Sequence, residues 1–149
     1  MGLFNLFSRK GEDEISKRLD KDRDLLKIRK HQANKKKQLE LLPNTIKELR
    51  KIGVSKKDEL KLEYFFIAFS KEEGEKLNQV LKNEYHYNIA PIQIVKNLFI
   101  VNGWSCKIKM ETEIVENWLV KMCNLTLKYD CEFDGWGTTP KQEMAFSEN

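Results

Sequence analysis

Residues 62–73 read Leu62-Glu63-Tyr64-Phe65-Phe66-Ile67-Ala68-Phe69-Ser70-Lys71-Glu72-Glu73, and the change of character at Ser70 decides the fold. The aromatic-rich run from Lys61 to Phe69 is too short for a surface helix and predicts a central strand. Ser70 to Glu73 spell a capping box, in which the Ser70 oxygen accepts an early helical N–H and Glu73 reaches back to the Ser70 amide. A helix follows, with Leu77, Val80 and Leu81 as its buried face and its end near Tyr85.

Downstream, Ile89, Ile92, Ile94, Leu98 and Ile100 alternate imperfectly, and Pro91 deletes a donor, which suits an edge or a bend. Asn102-Gly103 is the strongest short hairpin signal because both residues accept positive φ; Lys96-Asn97 is the alternative turn. The returning strand puts Trp104, Cys106, Ile108 and Met110 on one side and Ser105, Lys107 and Lys109 on the other, so one face is wet. Thr112 caps a second helix, Glu113 and Glu116 suit its positive end, and Ile114, Val115, Trp118, Leu119, Met122 and Leu125 recur at helical spacing. Tyr129 to Thr138 then reads as a short strand turning around Trp136, and residues 140–149 as a frayed tail. This order predicts an α+β, ferredoxin-like βαββαβ antiparallel sheet with two helices on one face.

Upstream the character is different. Residues 1–60 carry 17 basic and 10 acidic side chains, net +7, and residues 61–149 are net −3, so the overall +4 averages a basic arm and a mildly acidic domain. Residues 1–44 form that arm, a charged and largely helical or flexible N-terminal extension in which only Ile15, Leu19 and Leu26 recur near helical spacing. Pro43 is expected to interrupt it, and a short helix with Asn44 or Thr45 as cap then runs through Ile46 and Leu49 to Gly53. With 149 residues and no apolar run long enough to cross a bilayer, a membrane-spanning protein and a large multidomain enzyme are excluded. Leu3, Phe4, Leu6 and Phe7 make too short a stretch for a secretory signal; they offer weak docking on a membrane or partner, against the simpler reading of a frayed end. Cys106, Cys123 and Cys131 are odd in number and never CxxC, which reads as reduced core residues of a cytoplasmic protein.

The closing segment Phe133-Asp134-Gly135-Trp136-Gly137-Thr138 resembles the C-terminal signature of the RraB family, the protein inhibitors of ribonuclease E. The resemblance extends backwards through a short helix (Thr45 to Gly53), a hydrophobic strand (Lys61 to Phe69), a capped helix (Ser70 to Tyr85) and a longer one (Thr112 to Tyr129), so it covers residues 45–139. It implies the same α+β fold and a non-catalytic function: a small protein that binds the scaffold part of the endoribonuclease and lowers its activity on RNA. The basic arm is an addition to that pattern.

Asp130, Glu132 and Asp134 lie two apart, so on a strand they share a face and present a negative ridge to a basic partner; the plainer reading is edge-strand solubility. Trp136 between two glycines is a core plug or an interface anchor, the plug being the simpler. Trp104 and Trp118 read as packing residues. Arg29, Lys30, Lys35, Lys36 and Lys37 of the arm offer nonspecific contact to nucleic acid or anionic lipid, a solvated helix face being the default. His31 and His86 have no partner at ligand spacing, so no metal is expected. No GxSxG, Walker or GxGxxG pattern occurs, and neither catalytic residues nor a cofactor are expected.

Tyr64, Phe66 and Phe69 could form an RNA-binding aromatic platform, but Phe65 and Ile67 make the other face apolar too, and platform and core remain alternatives. The Gly and basic residues of the RNA recognition motif pattern are missing. The expectation is a protein-binding regulator of RraB type with an endoribonuclease as partner. The alternative is an adaptor or immunity-type binder whose basic arm contacts membrane or nucleic acid.

Overall fold

A computed structural model describes residues 2–140, with side chains from residue 13 onward. Residues 141–149, most of the expected tail, and the side chains of Leu3, Phe4, Leu6 and Phe7 lie outside the described residues. The protein is α+β: the described residues form a five-stranded antiparallel sheet and three helices, one of which precedes the sheet. The central strand β1 (Glu59–Ala68) buries Leu60, Leu62, Tyr64, Phe66 and Ala68 and leaves Lys61, Glu63, Phe65 and Ile67 half-buried on the other face. It pairs with β4 (Leu98–Lys109) on one side and β5 (Cys131–Gly137) on the other. β2 (Asn88–Ile89) and β3 (Gln93–Val95) both pair with β4 beyond that, on either side of Pro91, giving the order β2-β4-β1-β5.

α2 (Lys71–Asn83) starts where the capping box places it, with Ser70 Oγ accepting from the Glu73 amide at 3.2 Å. The reciprocal half of the box is not made: the Glu73 carboxylate lies 3.6 Å from Lys76 Nζ instead of reaching back to the Ser70 amide. Leu77 and Leu81 are fully buried, and Val80 is half-buried. α3 (Thr112–Leu125) buries Val115, Trp118, Leu119, Met122 and Leu125, while Ile114 is exposed. Its N-cap position is Glu111 rather than Thr112, with no side-chain cap bond. Phe66, Phe133 and Trp118 meet edge to face, at 5.1 Å between Phe66 and Phe133 and 6.3 Å between Trp118 and Phe133. The face of β1 bearing Phe66 is therefore the helix-covered one.

Three further expectations need correction. The hairpin turns at Lys96 (φ 49°) and Asn97 (φ 67°), not at Asn102-Gly103, which lie inside β4. Two consecutive positive φ values are the signature of a type I′ turn. Gly103 serves another purpose: a Cβ there would meet the Asn88 carbonyl and the Tyr64 hydroxyl.

Second, β4 does not alternate uniformly. Lys61 pairs with Lys107 but Glu63 with Trp104, so β4 carries one extra residue, a β-bulge, opposite Leu62. Ser105 holds it: its hydroxyl accepts from the Leu62 amide at 2.9 Å and donates to the Cys106 carbonyl at 2.7 Å. Before the bulge Val101, Gly103 and Ser105 are buried; beyond it Met110 is. Trp104 thus points to the outer face, and Cys106 is exposed.

Third, Pro43 lies inside α1 (Gly2–Lys51), which continues through it. Proline removes one helical hydrogen bond, but Leu42, Ile46 and Leu49 are buried around it and fix the helix on the domain. The expected boundary at residue 44 is therefore no break in the backbone. The stop at Gly53 is as expected: φ is +97°, the Gly53 amide donates to Arg50 and the Val54 amide to Leu49, the two bonds of a Schellman motif.

Candidate functional site

The C-terminal motif builds the end of β5. Phe66 pairs with Phe133 but Phe65 with Gly135, so Asp134 is the extra residue of a second bulge. Gly135, at φ +152°, takes a backbone conformation that L side chains rarely adopt. The bulge lets Phe133 and Trp136, three apart in sequence, face the same layer. Trp136 is half-buried, 6.1 Å from the Trp118 ring and paired in register with Tyr64, which fits the plug reading. Thr138 Oγ1 donates to the Lys61 carbonyl at 2.9 Å and ties the motif's end to β1. All of the motif residues but Gly137, where a Cβ would meet nothing, thus have a place in closing this edge of the sheet.

Asp130, Glu132 and Asp134 are all exposed, with Asp130 in the turn before β5 and Asp134 at the bulge. They do not stand alone. α1 runs along the same edge, where Asn34 Nδ2 donates to the Phe133 carbonyl at 2.8 Å and Gln38 Nε2 to the Asp134 carbonyl at 3.4 Å. An edge strand presents unpaired carbonyls, and here two side chains of a helix satisfy them. Further toward the α1 N-terminus, a cleft of about 320 Å³ separates the helix from the sheet; Arg23, Lys27, Lys30 and His31 line one wall, and Phe69, Asp130 and Glu132 the other. The acidic ridge and part of the basic arm therefore face each other.

The five arm residues do not form one patch. Lys35 Nζ donates to Asn124 Oδ1 at 3.3 Å, Lys36 lies 3.9 Å from Glu40, Lys30 lines the cleft, and Arg29 and Lys37 are exposed. Arg23 and Lys27 were missed by the sequence reading, although positions 23, 27, 30 and 34 share a helix face and carried the signal. Residues 13–30 are all exposed, Arg23, Asp24, Leu26, Lys27 and Lys30 while lining the cleft.

His31 Nδ1 lies 3.3 Å from Thr126 Oγ1, whose own proton goes to the Cys123 carbonyl at 2.6 Å, so the imidazole is the donor. Burial and the Lys35 ammonium lower its pKa, and an Asn124 hydrogen bond opposes them weakly. A histidine whose pKa is depressed on folding leaves the unfolded chain binding more protons, so stability is complete above about pH 6.5 and is lost as pH falls through the lowered folded value. Urea melts from pH 7.5 to 5 should show that slope, and His31→Gln should flatten it.

Of the three cysteines expected in the core, two are there. Burial pushes the Cys123 thiol up to about 11 and the Cys131 thiol to about 12, with Asp130 adding to the latter. Cys106 is exposed, with its sulfur 3.8 Å from the Tyr85 carbonyl and 3.7 Å from the His86 carbonyl. A thiol titration of the native chain should find one fast-reacting group, lost in Cys106→Ser, and two more only after unfolding.

Among the described residues, no helix is long and apolar enough to cross a membrane, and no group of three His, Cys, Asp or Glu side chains is arranged to hold a metal ion. Set against known proteins, the chain matches no protein-family model and no curated protein.

Proposed function

We propose that this protein is a non-catalytic, cytoplasmic regulator of RraB type that binds an endoribonuclease and modulates RNA decay by occupying its surface. The observation that carries this reading is the fit of Phe133 to Thr138 to one structural task. The core ring of Phe133, the bulge at Asp134, the positive φ at Gly135, the inward Trp136 and the Thr138 anchor give five of the six signature residues a reason. The fold supports it as well. With β2 and β3 taken as halves of one bent edge strand, the order of strands and of α2 and α3 reads as ferredoxin-like βαββαβ.

Asp130, Glu132 and Asp134 are the surface such a partner would use, through a basic segment that displaces or extends the contact with α1. The test is calorimetric binding of the full chain to the scaffold segment of an E-type ribonuclease. Glu132→Lys with Asp134→Lys should weaken association at least tenfold without lowering the melting temperature. Unchanged affinity removes the ridge, and no binding to any such segment removes the RraB reading. The second reading, an adaptor acting through its arm, is favoured by the exposure of residues 13–30. Capture of a partner that vanishes on deleting residues 2–30 would select it.

A further inference from the structure

The two walls of the α1 cleft carry opposite charge and stand apart. Arg23, Lys27 and Lys30 share one helix face with Asp24 beside them, net +2, and across the gap stand Asp130 and Glu132, net −2. All of them are exposed, and among the described residues none of the three cations is ion-paired with either opposing carboxylate. The helix is held from His31 inward, by the Thr126 contact, by the bonds to the Phe133 and Asp134 carbonyls and by buried Leu42. Leu26 and Phe69, 52 % and 47 % exposed, also line the gap. Phe69 is the exposed member of its aromatic trio; Tyr64 and Phe66 are fully buried, which makes that strand core and not an RNA platform. Lysine stems are flexible and a long helix curves gently, so the gap closes without breaking any of these anchors.

We propose that the 23–30 stretch of α1 is a built-in competitor for the acidic ridge: its cationic face closes onto Asp130 and Glu132, and a basic segment that binds the ridge must displace it. The proposal rests on the ridge assigned in the regulatory reading and adds what controls access to it. Opposite potentials facing each other are the complementarity that selects a partner, and here one chain carries both sides. Closing takes Leu26 and Phe69 out of water together, which favours the closed form beyond charge alone. A tethered segment acts at an effective concentration of the order of 1 mM. A closed form that is about 90 % populated then lowers the apparent affinity for an outside segment about tenfold. The partner that fits is a peptide rich in lysine and arginine with an apolar residue among its cations, the pattern that Arg23, Leu26, Lys27 and Lys30 present on one face.

Two measurements on the full chain test it, with melting curves to check that each variant folds. Zero-length carbodiimide coupling joins an amine to a carboxylate only where the two meet; it should link Lys27 or Lys30 to Asp130 or Glu132 within the monomer band, read by peptide mass spectrometry. Fluorescence anisotropy then follows a labelled lysine–leucine decapeptide. Arg23→Gln, Lys27→Gln and Lys30→Gln together should tighten its binding about tenfold. Arg18→Gln, Lys21→Gln and Arg29→Gln remove the same charge from the opposite side of the helix and should tighten it less than about threefold, since screening weakens charges that far from the ridge. Asp130→Asn with Glu132→Gln should abolish both the coupling and the peptide binding. Equal tightening in the two triple variants overturns the proposal, as do no tightening, no coupling within the chain, or no peptide binding by any variant. Peptide binding that survives the ridge substitutions overturns it as well. Neither probe contains any part of a ribonuclease, so failure to bind a ribonuclease segment removes the RraB reading and leaves a positive result here standing.

Discussion

Deleting residues 2–44, the whole arm as its charge delimits it, should unfold or aggregate the remainder, whereas deleting residues 2–30 should change stability by no more than about 0.5 kcal/mol. The difference lies in where α1 docks. Residues 13–30 are exposed, but Asn34 and Gln38 satisfy the β5 carbonyls, His31 bonds Thr126, and Leu42 is 3 % exposed in the core. Losing the Leu42 side chain alone costs about 2–5 kcal/mol, and each hydrogen bond adds about 0.5–1.5 kcal/mol. That is comparable with the whole net stability of a domain this size, about 5–15 kcal/mol. The uncovered β5 edge would then invite pairing between chains. Circular dichroism and light scattering on the two truncations would settle the matter; a folded, monomeric 45–149 fragment would mean that α1 is dispensable up to residue 44. For the same reason, only the shorter truncation is a fair test of what the arm does in partner binding.

Gly103→Ala is the second large effect, a loss of about 3 kcal/mol in a urea melt. The added Cβ meets the Asn88 carbonyl, which is backbone and moves only with β2, and the Tyr64 hydroxyl, packed under Tyr87 with ring centroids 5.7 Å apart. Lys96→Asn should act in the opposite direction, gaining a few tenths to about 1 kcal/mol, because asparagine tolerates the left-handed conformation that lysine adopts there at a cost. If the hairpin turned at Asn102-Gly103, Gly103→Ala would carry only a turn penalty and Lys96→Asn would do nothing. The signs of the two melts therefore locate the turn.

These two cases also show what could be read from residues alone. Periodicity and capping chemistry placed β1, α2, α3 and β5, because those signals are local: the Ser70 box, the Trp118 face, and the alternation of Cys131 and Phe133. The Asn102-Gly103 signal misled because glycine answers two different needs, positive φ and close approach, and only the neighbouring strand shows which applies. The bulges at Ser105 and Asp134 are settled by pairing with β1, so a strict period of two put Trp104 and Ser105 on the wrong faces. Pro43 ended the helix on propensity alone, but the burial of Leu42, Ile46 and Leu49 outweighs one missing hydrogen bond. Asp130, Glu132 and Asp134 were legible as a ridge, yet the helix lying against it was not, since nothing in a charged run tells where it docks.

The exposed stretch of α1 affects how the molecule moves through solvent. Ten of its residues, 13–22, lie beyond the cleft and rise about 15 Å as a helix, as long as the radius of gyration of about 15 Å expected for a sphere-like chain of 149 residues. A rod of that length raises the frictional ratio. The protein should elute from gel filtration ahead of compact standards of 17.6 kDa while light scattering returns the mass of one chain or a whole multiple of it.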